Sequence, residues 1–494
     1  MKMVDWVLNN WFFSSLIINY AIALSAAFFL IKSNQNPRKT VSSLLFLVAL
    51  PFIGLGIYYF FGLEYRKSKI FKRKDLTAHE LIKDWGKRLQ LTKAQLTEYE
   101  EDFLEDRIKL VKLLNHNQSA LLTLRNDLEV LINGEKTFER IFKDLDRAKD
   151  HIHIEYFIFQ DDIIGNEFID KLIDARDRGV EVKLIYDSVG SSLSRKAKAR
   201  MKKAGIEFNP FMPVIFSNFT RKANYRNHRK ICIIDGHIGY LGGVNVSDDY
   251  VNREGDDPSK YWRDTHLRIE GHAVKSMQVQ WLLNWYFVCE NIHEETSIHI
   301  PDSYFPEIDE SKNKAVQIAA SGPDTDWANI MEAIFVAVTT AEESIKITTP
   351  YFIPNEAILT ALKSAARAGV NVQIMVPKKG DSWAARYASR SYFREILESG
   401  VKIYWYHKGM LHAKTMVVDD EFATIGTSNM DYRSFDINFE INALIFDDDI
   451  SEELNEQYRI DLESCEEVIL DKWLERNKWN KLKESFCRLW APLL

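Results

Sequence analysis

One pattern of five residues occurs twice in this chain, and it restricts the fold to something built from two similar halves. Residues 228–245 read H-R-K-I-C-I-I-D-G-H-I-G-Y-L-G-G-V-N, and residues 412–429 read H-A-K-T-M-V-V-D-D-E-F-A-T-I-G-T-S-N. In each, a His is followed by a Lys two residues on, an Asp seven on, a Gly fourteen on and an Asn seventeen on. Alternation along a strand puts His228, Lys230 and Cys232 on one face, and His412, Lys414 and Met416 on one face of a second strand. Ile231, Ile233 and Val417 suit strands set deep in a sheet, where an ammonium group is tolerated only beside an anion. A bound anion is therefore a candidate ligand of each motif.

A turn follows at Asp235-Gly236 or Asp419-Asp420. A second short strand then ends in small residues, Gly242-Gly243 or Gly426-Thr427-Ser428, which let a ligand approach the backbone closely. Asn245 and Asn429 add amide donors. The catalytic set expected from the pattern is His228, Lys230, Asp235, His412, Lys414 and Asp419, with Asn245 and Asn429 binding substrate. Within that set, Asp235 and Asp419 stand an odd number of residues from their histidines and are expected to bond locally at the turn. Asp264 and Glu440 follow the first and second motif, respectively, where a carboxylate could fix the tautomer of an imidazole.

The duplication extends beyond the motifs. Residues 148–154 (A-K-D-H-I-H-I) are answered by 341–347 (A-E-E-S-I-K-I), and 178–184 (R-G-V-E-V-K-L) by 368–374 (A-G-V-N-V-Q-I). Within the first copy, helical spacing over 137–149 and 169–178 alternates with strand patterns over 151–159 and 180–186, which is a βαβ unit. The expectation is an α/β protein with duplicated domains at 131–310 and 311–494. Each would be a mixed sheet flanked by helices, and the motifs would face a shared cleft.

The N-terminal region has another texture. Residues 11–31 and 41–61 carry no charged side chain, and each is long enough to cross a hydrocarbon core. No cleavage pattern separates them, so residues 1–65 are expected to form a two-helix transmembrane hairpin. Arg66, Lys67, Lys69, Lys72, Arg73 and Lys74 crowd its exit, against Lys32, Arg38 and Lys39 in the connecting loop. That bias places the remaining chain on the cytoplasmic side of a multi-pass membrane protein, beside anionic lipid. Residues 66–130 read as a charged helical connector. The C-terminal stretch 486–494, apolar and Trp-bearing, suits either a bilayer interface or core packing.

Arg221, Lys222, Arg226 and Arg229 surround His228 in sequence and favour an anionic substrate, whereas the basic run 195–203 suits a solvated helix face or headgroup attraction. A net charge of −7 argues against a protein that coats nucleic acid. Cys232, Cys289, Cys465 and Cys487 show no C-x-x-C spacing, so neither a zinc knuckle nor a disulfide framework is indicated. No carboxylate cluster suited to Mg²⁺ is evident, and neither metal nor cofactor is expected.

The paired H-x-K-x4-D-x6-G-x2-N elements resemble the signature of the phospholipase D superfamily, with Gly426-Thr427 standing where that family often has Gly-Ser. The chain also has N-P-R-K-T at 36–40, F-G-L-E-Y-R-K at 61–67, G-M-L-H at 409–412 and a final P-L-L. With the hairpin, these narrow the resemblance to the bacterial cardiolipin synthases of the phospholipase D type. That resemblance implies a phosphatidylglycerol that donates its phosphatidyl group to a His and releases glycerol. A second phosphatidylglycerol then attacks to give cardiolipin. It further implies His228 as nucleophile and His412 as acid and base, with Lys230, Lys414, Asn245 and Asn429 on the non-bridging oxygens. Water as acceptor would make the same residues a membrane-bound phospholipase D, and another alcohol a different phosphatidyltransferase. The negative charge and the hairpin disfavour a nuclease, and no nucleic-acid partner is expected.

Overall fold

Short runs dense in Ile and Val set the strands of this protein, and their order reveals the duplication. The computed structural model describes residues 11–32, isolated positions between 40 and 54, and residues 107–116, 121–212, 225–290, 300–308, 311–325 and 327–491. The chain divides into two units, one of residues 1–66 with 214–225 and one of 67–213 with 226–494.

In the first unit, helix Trp11–Lys32 carries an apolar span over Trp11–Phe28. Ala23 packs with Leu47, the Tyr20 hydroxyl donates to the Val48 carbonyl at 3.3 Å, and the Phe52 N–H donates to Asn19 Oδ1 at 2.9 Å. Most of the second expected span lies outside the described residues, as do the basic cluster at 66–74 and Arg221 and Lys222.

In the second unit, the first half contributes β1 (Leu122–Ile132), β2 (His151–Tyr156), β3 (Glu181–Asp187), β4 (Glu207–Phe211), β5 (Lys230–Ile234), β6 (Ile238–Gly242), β7 (Trp262–Arg263) and β8 (Thr265–Gly271). The second half contributes β9 (Lys314–Ser321), β10 (Ser344–Thr348), β11 (Phe352–Ile353), β12 (Asn371–Pro377), β13 (Lys402–Tyr406), β14 (Met410–Leu411), β15 (Thr415–Val418), β16 (Phe422–Gly426), β17 (Met430–Asp431), β18 (Glu440–Phe446) and β19 (Cys465–Glu467). Fifteen of these strands form one sheet. Outward from an antiparallel seam between β1 and β9, the orders β1-β8-β6-β5-β2-β3-β4 and β9-β18-β16-β15-β10-β12-β13 repeat each other. In both, three parallel strands lie farthest from the seam, with β19 added at one edge. Crossover helices cover the parallel strands, and the first of them in each half starts at a side-chain cap. Asp162 accepts from Gly165 N–H at helix Ile163–Asp177, and Asn355 accepts from Ile358 N–H at helix Glu356–Arg367, as expected of N-cap residues.

The α/β class and the two similar halves stand, and two expectations need correction. The two sheets anticipated for the halves are a single sheet, because β1 and β9 pair across the junction and bury the edge each half would otherwise expose. The helical connector of 66–130 ends early. Its last residues form β1, where Leu128 and Val130 are buried while Asp127 and Glu129 face solvent. That period of two was masked by the charges around it. Ahead of it, helix Ile108–His116 packs Leu110, Val111 and Leu114 into the core of the second half.

Candidate active site

Strands β5 and β15 run antiparallel to the first parallel strand of each half, so Lys230 lies opposite Tyr156, and Thr415 opposite Thr348. The His and Lys of each motif therefore gather at the carboxyl ends of β2 and β10, the end where open α/β sheets bind ligands. Asp235 and Asp419 sit at the other end of the same strands, on the order of 20 Å away for strands of this length. Both hold a left-handed backbone, with φ of 50° and 53°. The Asp235 carboxylate accepts N–H bonds from Lys149, Asp150 and His151 at 2.8–3.1 Å. Asp419 accepts from Glu342, Glu343 and Ser344 at 2.8–3.0 Å and pairs with Arg107 at 2.6 Å. They fasten the motif turn to the start of the neighbouring strand, a longer reach than the local turn bond expected of them. Placed there, Asp235 and Asp419 belong to the scaffold and not to the catalytic set.

The histidines are held across the two halves. His228 N–H donates to the Phe439 carbonyl at 3.0 Å, and Phe439 N–H to that of Arg226 at 2.9 Å. His228 Nδ1 then lies 2.9 Å from Glu440 Oε2. On the other side β14 pairs with β7, His412 N–H donates to the Arg263 carbonyl at 2.7 Å, and His412 Nδ1 lies 2.7 Å from Asp264 Oδ2. Gly409 permits that docking. Its φ is +102°, and a Cβ would fall 2.1 Å from the Tyr261 carbonyl oxygen. The two carboxylates singled out in the sequence each meet a histidine, that of the other half. Asp264 serves His412 and Glu440 serves His228, each carboxylate crossing to the other half. A carboxylate at Nδ1 favours the tautomer with its proton there, which leaves Nε2 of each ring as the nitrogen able to accept.

The lysines are almost fully buried, at 0% and 4% exposure, and among the described residues neither forms an ion pair. Lys230 Nζ donates to the His228 carbonyl at 2.6 Å, and Lys414 Nζ lies 3.1 Å from His412 Nε2. Burial pulls Lys230 down to about 7 and Lys414 to about 8. Keeping Lys230 charged at neutral pH thus opposes burial by roughly 4–5 kcal/mol, a burden that a bound anion would relieve. Burial lowers both histidines, His412 to about 4, where the Lys414 charge adds to the effect. Asp264, despite burial that would raise it, is held down to about 2 by the His412 and Lys414 charges. Glu440 is likewise lowered against its burial, by His228. Two histidines, two carboxylates and two lysines thus share one buried centre, where an anion would favour the charged lysines.

A family model described as the PLD-like domain of cardiolipin synthase matches residues 141–257 and 334–462, one motif in each. Cardiolipin synthase 2 of Bacillus anthracis is 39% identical over 93% of this chain and 88% of its own length. The chain belongs to the bacterial cardiolipin synthases. Cardiolipin synthase of Halalkalibacterium halodurans is also 39% identical, over 99% of this chain and 95% of its own. A solved phosphatidylserine synthase from Haemophilus influenzae shares the fold, with a TM-score of 0.56 at 15% identity, covering 78% of this chain and all of that one. Membership makes the chain a phosphatidyltransferase of the phospholipase D type, acting on phosphatidylglycerol.

Within this cardiolipin synthase fold, the Gly-Thr of the second motif has a structural meaning. The Thr427 hydroxyl donates to Glu440 Oε2 at 2.5 Å. At the matching position Gly243 leaves room for the shorter Asp264, whose Oδ1 would lie 1.9 Å from an added Cβ. The asparagines are less free than expected. Asn245 accepts from Ile158 N–H at 3.0 Å and donates to the Tyr250 hydroxyl at 2.5 Å, which leaves one N–H for a ligand. The Asn429 side chain hydrogen-bonds the Asp431 carboxylate, and among the described residues its buried Oδ1 has no partner. Arg226 and Arg229 do not form an open positive surface. Arg226 pairs with buried Asp187 at 3.1 Å, and Arg229 donates to the Glu440 carbonyl at 3.1 Å. The basic run at 195–203 is a helix with only Ala197 and Met201 buried, so it is mainly a solvated face.

Sequence reasoning missed the aromatic walls. The Phe157 ring meets His228 at 5.0 Å and Lys230 at 5.3 Å, while Trp262 and Tyr250 approach His412 at 5.2 and 5.6 Å. It also missed buried Glu155, which accepts from Asn227 at 2.7 Å. Phe157 lies just beyond β2, and a hydrophobic residue there has no signature that separates it from core.

Proposed function

We propose that the cleft transfers a phosphatidyl group between two phosphatidylglycerol molecules through a phosphohistidine. The observation that carries this reading is the crossed pair of His–carboxylate contacts beside two buried lysines that form no ion pair among the described residues. His228 Nε2 attacks phosphorus, and the bond to the glycerol oxygen breaks as His412 Nε2–H protonates it. The neutral His412 then takes the hydroxyl proton of a second phosphatidylglycerol, whose oxygen bonds to phosphorus and displaces His228. Lys230 and Lys414, with the remaining N–H of Asn245 and the amide of Asn429, stabilise the charge that gathers on the non-bridging oxygens. An incoming phosphodiester anion also raises the pKa of both histidines and so favours the protonated acid. The choice of His228 as nucleophile rests on resemblance to two-motif members of the superfamily.

The reading includes a two-pass membrane hairpin and catalytic halves on the cytoplasmic face of the bacterial cell membrane, beside anionic lipid. The contacts of residues 47, 48 and 52 with helix Trp11–Lys32 support the hairpin. Trp479, Leu482, Phe486 and Leu489 support a lipid-facing surface, since they repeat at helical spacing along and just beyond helix Lys478–Arg488 and are each 54–72% exposed. That face begins earlier than the tail singled out in the sequence, because Cys487 and Ala491 are buried.

The test uses the full chain held in detergent and radiolabelled phosphatidylglycerol. Cardiolipin and free glycerol are the expected products, lost in His412→Ala, with no trapped phospho-enzyme in His228→Ala. Phosphatidic acid as sole product would make water the acceptor. A phospho-enzyme that survives in His228→Ala but not in His412→Ala would reverse the two roles.

A further inference from the structure

A shallow, open cleft lies at the carboxyl ends of β12 and β13, lined in part by Tyr351, Arg386, Arg390 and Trp405. Arg386 and Arg390 stand one turn apart on helix Trp383–Arg390, and among the described residues neither meets a carboxylate within ion-pair distance. The Arg386 guanidinium lies 5.2 Å from the Tyr387 ring, and among the described residues its buried Nε has no hydrogen-bond partner. Arg390 lies 5.1 Å from the Trp405 ring and donates to the Lys378 carbonyl at 3.1 Å. The carboxylates nearby are already engaged. Glu484 is held by both terminal nitrogens of Arg476, and Asp381 accepts from the Tyr351 hydroxyl at 2.5 Å. Burial and then the charge of Arg386 hold Arg390 below its ordinary value. Two like charges kept together in a half-buried cleft favour an anion between them.

The cleft adjoins the reacting centre. Parallel pairing sets Phe352 of β11 opposite Met430 of β17, so Tyr351 precedes that pair on one side and Asn429 on the other, about 5 Å apart. Asp381, hydrogen-bonded to Tyr351, is one of the charges acting on Lys414. Guanidinium groups backed by aromatic rings suit a phosphodiester, which they can grip in two places at once.

We propose that Arg386 and Arg390 bind the phosphodiester of the acceptor phospholipid, the one whose hydroxyl attacks the phosphohistidine. This rests on the transfer chemistry described above. Cardiolipin formation brings two anionic phosphates into one site. Lys230 and Lys414 take the phosphate undergoing substitution, and the acceptor's own phosphate remains, one glycerol away, with no catalytic lysine for it. The arginines form and break no covalent bond. The acceptor's proton passes to His412 as its oxygen replaces His228 on phosphorus.

Two reactions of the same phospho-enzyme in the detergent-held full chain provide the test. One is cardiolipin synthesis, and the other is exchange of radiolabelled glycerol into phosphatidylglycerol, whose acceptor carries no phosphate. Arg386→Gln should raise the KM for phosphatidylglycerol in synthesis about ten- to a hundredfold, the effect of losing one charge-assisted contact, and reduce exchange by less than about twofold. Arg386→Lys should recover part of the synthesis. An equal fall in both reactions, or no change in either, would overturn the proposal. An unaltered KM for phosphatidylglycerol, with a loss only of inhibition by added inorganic phosphate, would make the cleft a free-phosphate site and overturn the lipid assignment. Absence of glycerol exchange in the unaltered protein would instead refute the phosphohistidine route and this proposal with it.

Discussion

Replacing Asp264 by Asn tests the crossed arrangement of the site, because it removes one charge and little volume. Asp264 lies at about 2 where an isolated Asp titrates near 3.9, a difference of about 2–3 kcal/mol in favour of the ionised form beside His412 and Lys414. Losing that stabilisation, and the tautomer it enforces, should slow any step that uses His412 about a hundredfold. The assay is a burst measurement with a phosphatidyl ester whose leaving group departs without a proton, such as p-nitrophenolate. With that donor the acid is dispensable in the first step and the nucleophile is not. The contacts at 2.7 Å and 2.9 Å require Asp264→Asn to behave as His412→Ala does, and Glu440→Gln as His228→Ala does. On the assignment of His228 as nucleophile, the first pair keeps the burst and the second loses it. The opposite grouping, with Asp264→Asn matching His228→Ala, would refute the exchange of partners whichever histidine attacks.

Other expectations follow from the same geometry. Gly243→Ser should cut cardiolipin formation at least about tenfold, since a Cβ there would lie 1.9 Å from Asp264 Oδ1 and displace a charge-assisted contact. Thr427→Ser should retain activity and Thr427→Val should lose it, as the hydroxyl is what Glu440 receives; initial rates decide both. Asp235→Ala removes the shared acceptor of three N–H groups, two of them solvent-exposed, and should lower stability by about 1–2 kcal/mol, read as a lower thermal midpoint with KM nearly unchanged. Lys230 lies at about 7 and Lys414 at about 8, each charged below its value and neutral above it, so kcat/KM should fall as pH rises through 7–8; a flat profile to pH 9 would contradict their role. For stability the sign is opposite. The unfolded chain keeps these lysines protonated up to about 10.5, so stability from this source rises between their folded values and that pH. Leu482→Glu with Phe486→Glu should weaken activity on vesicles of phosphatidylglycerol while sparing it in micelles; equal loss in both would remove that helix from the lipid surface.

Much of the chemistry was legible in the chain because strand patterns are local. A His and a Lys two residues apart share a face wherever the strand sits, so His228 with Lys230 and His412 with Lys414 could be paired before any fold was known. The doubled pattern also carried the α/β class, the two halves and the resemblance that the relatives bear out. β1 was lost to the connector because its charged neighbours hid a period of two. Arg226 and Arg229 beside His228 read as favouring an anionic substrate, because nothing in their spacing reveals Asp187 or the Glu440 carbonyl. The crossing of Asp264 to His412 lay beyond the chain's pattern for a deeper reason. In a duplicated sequence, pairing each carboxylate with the histidine of its own half or of the other half satisfies the same spacing, so the two are degenerate. Only the tertiary structure separates them, by joining the halves along β1 and β9 and docking β14 on β7, which carries each histidine past its own half to the carboxylate of its counterpart.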